Sequence, residues 1–92
     1  MEAIEGGCLC GAIRYRASGT AYGITHCHCL TCRRASGAAF VTWAGFDADK
    51  FTILQGQPVS YASSAGVIRT FCGACGTPLT YRRGDSPASI DI

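Results

Sequence analysis

Three cysteines and a histidine fall within the short stretch CHCLTC, which runs from Cys27 to Cys32. Cysteine sulfurs at such close spacing are typical zinc ligands, and a structural zinc ion takes four protein ligands. This stretch supplies three, Cys27, Cys29 and Cys32, which are called the three-cysteine group below. Zinc with three protein ligands keeps its fourth position for water or substrate. The stretch therefore predicts an open, catalytic zinc site.

A histidine is the alternative fourth ligand. His26 adjoins Cys27, whereas His28 lies between two of the sulfurs and is expected to direct its ring away from the ion. His26 is thus the better candidate, although ligands from adjacent residues are strained. The residues alone leave two arrangements open, a site that is free at its fourth position and a site that His26 closes.

The other four cysteines form two pairs that are each followed by glycine: Cys8 and Cys10 before Gly11, and Cys72 and Cys75 before Gly76. Glycine lets the backbone take a positive φ and turn its amides toward the thiolates. The matching pairs predict a closed structural zinc site, the four-cysteine group, whose binding energy would stabilise the fold. Counting cysteines also leaves open that the first pair joins the three-cysteine group.

Metal binding explains the cysteines better than disulfide bonds. The chain has seven cysteines in 92 residues, so disulfides would leave one thiol unpaired. The core of so small a domain is marginal, such domains usually add a staple, and closely spaced sulfurs suit one ion. The start of the chain, MEAIEGG, has no basic segment and no apolar core of a signal peptide. We expect two zinc ions per chain and a reducing, cytoplasmic location.

Charge argues against two classes of partner. The net charge is only +2, which does not predict nucleic-acid binding, and no apolar run is long enough for a membrane span. Arg33 and Arg34 follow the three-cysteine group and either bind an anionic partner or stay solvated. His28 either moves a proton or is simply exposed. The larger aromatic residues are expected in the core: Tyr15, Phe40, Trp43 and Tyr81.

The elements that must position these residues are short strands. Alternating or apolar segments predict strands at residues 12–17, 22–26, 38–44, 51–54, 59–62, 67–71, 79–82 and 89–92. Glycines separate them, and no long stretch keeps a helical period. At most, residues 30–35 and 47–50 form helical turns. The sequence predicts one all-β domain over residues 1–92, a small meander of antiparallel strands held together by metal.

Three blocks of the sequence resemble, in order, the glutathione-dependent formaldehyde-activating enzyme family, which also includes the centromere protein CENP-V: GCLCG, CHCLTCRRASG and RTFCGACGTPLTY. The resemblance implies a zinc-binding β-tent. It also implies that the four-cysteine group holds a structural zinc and the three-cysteine group a catalytic zinc. Family members usually continue past a stretch like SPASIDI, so we expect this chain to lack their C-terminal extension.

The resemblance further implies a carbon–sulfur lyase that joins or cleaves S-hydroxymethylglutathione, with glutathione and an aldehyde as partners. Coordinated thiols are deprotonated, so an open zinc would activate the glutathione sulfur. Two other interpretations stay open. Both zinc sites could staple an interaction module, or the three-cysteine group could sense redox state if it were free of metal. The sequence does not indicate an oligomeric state.

Overall fold

A computed structural model describes residues 3–92 of the chain. It contains nine strands, one α-helix and one 3-10 turn: β1 (Ala3–Gly7), β2 (Arg14–Ser18), β3 (Tyr22–Cys27), α1 (Leu30–Ser36), β4 (Val41–Asp47), the 3-10 turn (Ala48–Lys50), β5 (Phe51–Gln55), β6 (Val59–Ser64), β7 (Val67–Phe71), β8 (Pro78–Arg83) and β9 (Ser89–Asp91).

The strands form two antiparallel sheets. The smaller sheet has the order β1-β2-β5, and the larger has the order β3-β4-β9-β8-β7-β6. The strands from β6 to β9 follow one another as a meander, whereas β4 pairs with the distant β9. The 3-10 turn leads the chain from the larger sheet back to the smaller one. The predicted antiparallel, mostly β fold is confirmed.

Strand β1 was not predicted from the sequence, because its five residues include two glycines and alternate poorly. It pairs with β2 along its whole length, with Gly6 opposite Tyr15 and Gly7 opposite Arg14. A Cβ atom at Gly6 would collide with the Tyr15 side chain, and one at Gly7 would collide with the Ile13 carbonyl oxygen. These glycines therefore allow close approach of the two strands.

Strand β4 lies three residues later than the predicted segment 38–44. Gly45 was interpreted as the end of a strand, but it lies inside β4 and pairs with Tyr22 of β3. A Cβ atom there would come within 2.8 Å of the Tyr22 carbonyl oxygen. Phe40 consequently precedes the strand and is 43% exposed, so its predicted place in the core was wrong. Trp43 does lie in β4 and is buried.

The predicted helical turn after the three-cysteine group is a complete short helix, α1. It ends at Gly37, which adopts the left-handed conformation with φ of 71° and donates its N–H to the Arg33 carbonyl oxygen. A glycine in this position closes many helices because it lacks the Cβ atom that makes such a backbone costly. Within residues 3–92, no helix is long and apolar enough to cross a membrane.

Two small apolar clusters join the sheets. One consists of Cys8, Ile13, Cys72 and Leu79, and the other of Ala17, Phe46 and Ile90. Cys8, Ile13 and Ala17 belong to the smaller sheet or its connections. The other members of both clusters belong to the larger sheet or its connections. The first cluster contains two of the sulfurs of the four-cysteine group, so this group is part of the core.

Candidate metal centres

The four-cysteine group forms where two loops meet. Cys8 and Cys10 follow β1, and Cys72 and Cys75 follow β7. Their four Sγ atoms lie within 4.8 Å of one another. Cys10 Sγ is 3.6 Å from Cys8 Sγ and 3.8 Å from Cys72 Sγ. Sulfurs bound tetrahedrally at about 2.3 Å from zinc are about 3.8 Å apart, so this donor set fits a zinc ion.

Backbone amides and one hydroxyl surround these sulfurs. The Ile13 amide donates to Cys8 Sγ over 3.2 Å, and Thr77 Oγ1 lies 3.2 Å from Cys75 Sγ. The glycines that follow each pair have positive φ, 83° at Gly11 and 81° at Gly76. Their amides donate to the carbonyl oxygens of Cys8 and Cys72. The predicted positive φ of these glycines is confirmed, but their amides bond carbonyl oxygens and not the thiolates that the sequence had predicted.

The pKa values within the metal-free group diverge. Hydrogen bonds from the Thr77 hydroxyl, the Thr77 amide and the Cys10 amide lower the pKa of Cys75 to about 5. The Ala12 amide lowers the pKa of Cys10, but the Cys8 and Cys75 sulfurs outweigh it and raise that pKa to about 11. The pKa of Cys75 is thus low and that of Cys10 high, and a bound cation would favour loss of the proton from both.

The three-cysteine group forms at the junction between β3 and α1. Cys27 ends β3, Cys29 is the N-cap of the helix, and Cys32 lies in its first turn. Cys29 Sγ accepts the Cys32 amide over 3.4 Å, as a serine or aspartate oxygen would at this position. Cys27 Sγ is 3.4 Å from Cys29 Sγ, and all three sulfurs lie within 4.8 Å of one another.

Neither neighbouring histidine joins this group. Among residues 3–92, the ligand atoms that cluster here are the three sulfurs alone. His26 Nδ1 is 2.9 Å from Thr42 Oγ1, and its ring lies against Phe40. His28 also lies against Phe40, with 5.2 Å between the ring centroids. The structure therefore offers three protein ligands, and the arrangement in which His26 supplies a fourth does not occur in it.

The seven sulfurs occur in the two groups that their spacing predicts, and Cys8 and Cys10 do not join the three-cysteine group. Both groups could hold a metal ion. The role of each cysteine as a ligand stays a prediction, as does the division into a structural and a catalytic site.

A guanidinium and an indole ring flank the three-cysteine group. Burial raises the pKa of Cys32, but hydrogen bonds with Cys27, the Arg69 guanidinium and Trp43 outweigh it and lower that pKa to about 7. The hydrogen bond with Cys32 raises the pKa of Cys27 to about 11. As in the other group, one sulfur favours the thiolate form and its neighbour keeps a proton.

A cleft of about 760 Å³ adjoins the group. Helix α1 forms one wall, strands β6, β7 and β8 form the other, and Trp43 of β4 lies between them. The polar and charged lining residues are Thr31, Arg34, Tyr61, Ser63, Arg69, Thr70 and Thr80. Gly76 also lines it, so the cleft reaches from the three-cysteine helix to the loop of the four-cysteine group.

Both sulfur groups and the cleft lie within the region that matches a known protein family. The sequence profile of the glutathione-dependent formaldehyde-activating enzyme family matches residues 3–92. The chain belongs to this family. The match confirms the resemblance of the three cysteine blocks.

Two individual proteins are similar to this member of the family. An uncharacterized lyase of Schizosaccharomyces pombe is 35% identical over an alignment of 94 positions. The alignment covers 99% of this chain and 67% of that protein. The crystal structure of a Rhodobacter sphaeroides protein superposes with a TM-score of 0.80 over 97% of this chain and 83% of that one. At 23% identity, this second likeness shows a shared fold.

The structure places one of the three predicted substrate-binding residues in the lining of the cleft. Arg34 lines the cleft, whereas Arg33 and His28 are not among its lining residues. Arg33 is exposed on the same helix, and His28 lies against Phe40. Their assignment as substrate-binding residues stays a prediction, and the position of Arg34 fits it best.

Sequence reasoning missed Arg69, which reaches the cleft from β7. Its Nη2 atom is 3.5 Å from Cys32 Sγ, although 37 positions separate the two residues. One signal was available. Val67, Arg69 and Phe71 alternate along a predicted strand, so they share a face, and all three are partly buried. A charged residue at an inward position of a strand is uncommon unless it is paired, and thus indicates a site.

Proposed function

We propose that this protein is a lyase that forms or cleaves the carbon–sulfur bond between a thiol and an aldehyde, with S-hydroxymethylglutathione as the adduct. Membership of the formaldehyde-activating family and the lyase name of the yeast relative support a lyase-type activity. The single observation that carries the proposal is the three-cysteine group, which lacks a fourth protein ligand among residues 3–92 and adjoins a cleft.

The reaction conserves atoms without a redox step. In the cleaving direction, the carbon–sulfur bond breaks, the hydroxyl of the adduct loses its proton and becomes the aldehyde carbonyl, and the sulfur leaves as a thiolate. The forming direction reverses these changes, and the aldehyde oxygen takes up the proton. A zinc ion held by Cys27, Cys29 and Cys32 would favour the thiolate form of the substrate sulfur when bound.

The chain's own residues would bind and orient the adduct. The three cysteines are not among the residues that line the cleft, but Cys32, which is 2% exposed, contacts the lining residue Arg69. Arg34 and Arg69 supply positive charge, which suits the two carboxylates of glutathione. The hydroxyl of Thr31 lines the cleft and could bond the peptide part or the hydroxymethyl group, whereas the Thr80 hydroxyl is already bonded to that of Thr70.

Cobalt substitution tests the proposal, because the absorption of cobalt responds to the type and number of its ligands. Glutathione added to the cobalt-loaded protein should change the spectrum from three sulfur ligands to four. S-methylglutathione lacks an ionisable thiol and should leave it unchanged. In parallel, the zinc-loaded protein should release formaldehyde from S-hydroxymethylglutathione.

His26→Ala is the matched control, since His26 bonds Thr42 and does not join the sulfurs. It should leave the cobalt spectrum unchanged. A spectrum that ignores glutathione but changes in His26→Ala would contradict the proposal. The second zinc site would then be a closed staple, and an interaction module would be the better interpretation. A cytoplasmic location is part of the proposal, because reduced thiols are maintained there.

A further inference from the structure

The Arg69 guanidinium is held in place on three sides. Its Nε donates to Ser63 Oγ over 3.1 Å, and its Nη2 donates to Cys32 Sγ over 3.5 Å. Its central carbon lies 4.9 Å from the centre of the Tyr81 ring, and this ring lies against Trp43. Such contacts fix both the position and the plane of the group, which reduces the entropy that a ligand-binding arginine would lose.

No carboxylate pairs with this cation among residues 3–92, and the Cys32 sulfur takes only one of its N–H groups. The ion pairs there join Arg16 to Glu5, Lys50 to Asp47, and Arg83 to Asp85. A guanidinium carries about five N–H donors, and the contacts with Ser63 and Cys32 use two. In the same part of the chain, no buried side-chain nitrogen lacks a partner, so Nη1 of Arg69, which makes neither of these bonds, is accessible. An accessible, partly desolvated cation is suited to bind an anion from solution.

The charged side chains that line the cleft around Arg69 are all positive. Its described lining includes Arg34 and Arg69 but no aspartate or glutamate. The overall net charge is only +2, so this sign is local to the cleft rather than a property of the whole surface. Concave surfaces lined by one sign of charge concentrate ligands of the opposite sign. The cleft is therefore electrostatically selective for an anion.

We propose that Arg69 binds the glycyl carboxylate of a glutathione-containing substrate and so places the substrate sulfur beside the three-cysteine group. This inference rests on the proposed function, and it names the residue that selects the substrate. Arg69 Nη2 already contacts a sulfur of that group. In glutathione, fewer bonds separate the sulfur from the glycyl carboxylate than from the glutamyl carboxylate. The carboxylate nearer the sulfur thus suits the arginine that contacts a cysteine of the group, and Arg34 on the exposed helix is left for the other.

The test measures binding by isothermal titration calorimetry with the zinc-containing protein as purified. S-methylglutathione serves as the ligand, because it keeps both carboxylates but has no thiol. Its glycyl ethyl ester is the matched ligand without the carboxylate in question. The ester should bind the unmodified protein about 10- to 100-fold more weakly, the range expected for one charge-assisted hydrogen-bonded contact.

Arg69→Met should weaken the binding of S-methylglutathione by a similar factor and leave the affinity for the ester unchanged. Arg82→Met is the control variant. Arg82 lies on β8, does not line the cleft, and donates to the Pro87 carbonyl oxygen. It should alter neither affinity. A structural role of Arg69 would weaken the acid and the ester equally, so that result would overturn the inference, as would no change in either.

If Arg69→Met fails to fold, two other measurements still test the inference. Equal affinities of the acid and the ester for the unmodified protein would overturn the inference directly. Arg69→Lys, which keeps the charge, should still prefer the acid, and loss of that preference would also count against it. Formaldehyde release from S-hydroxymethylglutathione separates the two proposals. Release without a preference for the acid contradicts only the Arg69 inference, whereas an Arg69-dependent preference without release contradicts only the lyase.

Discussion

Two cysteines of the chain show how strongly the surroundings of a sulfur decide its role. Cys72 is 1% exposed and packs with Ile13 and Leu79 in an apolar cluster between the sheets. Cys29 is exposed at the start of α1. The other two cysteines of its group lie at the end of β3 and in the first turn of α1. Replacing Cys72 is therefore expected to open the core, whereas replacing Cys29 is expected to affect one edge of the fold.

We predict opposite outcomes for the same substitution at these positions. Cys72→Ser should unfold the protein, because structural zinc contributes about 10–16 kcal/mol in small domains and total stability is about 5–15 kcal/mol. Cys29→Ser keeps an oxygen that can cap α1 and should stay folded, with one zinc fewer and no lyase activity. Circular dichroism and elemental analysis check both variants. Unfolding of both to the same extent would make the three-cysteine group structural.

At the scale of elements, α1 matters because it carries Cys32 and Arg34 on seven residues and is capped by Cys29. So short a helix is not stable alone, and its two ends must hold it. The N-terminal end is held by the sulfur of Cys29, and the C-terminal end by the left-handed Gly37. The geometry of the three-cysteine group therefore depends on a backbone conformation beyond its last sulfur.

Gly37→Ala should lower stability by about 1 kcal/mol through the strained backbone and thus lower the Tm by about 4–8 °C. The strain can be relieved by fraying of α1, which would disturb the three-cysteine group. Metal binding at this group should therefore weaken by up to about fivefold, the factor that corresponds to about 1 kcal/mol. Competition with a chromophoric chelator measures the affinity.

The matched control is Gly66→Ala. Gly66 has φ of 73°, close to the 71° of Gly37, and neither position has an atom within 4 Å of an added Cβ. It lies between β6 and β7, so the variant should lose similar stability but keep its metal affinity. Equal weakening of metal binding in both variants would mean that α1 does not set the geometry of the group.

At the scale of the whole molecule, the four-cysteine group connects the two sheets. Its first pair follows β1 of the smaller sheet, and its second pair follows β7 of the larger sheet. Buried apolar side chains are few among residues 3–92, and they include two sulfurs of this group, Cys8 and Cys72. A domain of this size has a marginal core, which such a link stabilises.

We predict that protein purified without chelator contains two zinc ions per chain and that strong chelators unfold it cooperatively. Elemental analysis measures the metal, and thermal melting by circular dichroism measures the loss of structure. Returning zinc under reducing conditions should restore the original Tm, which separates metal loss from oxidation of the thiols. A metal-free, reduced protein with an unchanged Tm would contradict the role assigned to the four-cysteine group.

The sequence by itself determined the features that depend on local spacing. Cysteines two or three residues apart cannot move far from one another, so their spacing alone predicted the two pairs and the three-cysteine group. The glycines after each pair signalled their turns because positive φ is a local property. Most strands were predicted because alternation of side chains is also local.

Only the tertiary structure decided the features that depend on strand pairing. Gly45 was interpreted as a break between strands, and the partner strands show that Gly6, Gly7 and Gly45 permit close approach. His26 was a possible ligand, but Thr42 on the paired strand holds its ring. Arg69 meets Cys32 through the packing of α1 against the larger sheet, a contact between distant residues that no local pattern encodes. Spacing thus set which sulfurs cluster, and long-range register set what surrounds them.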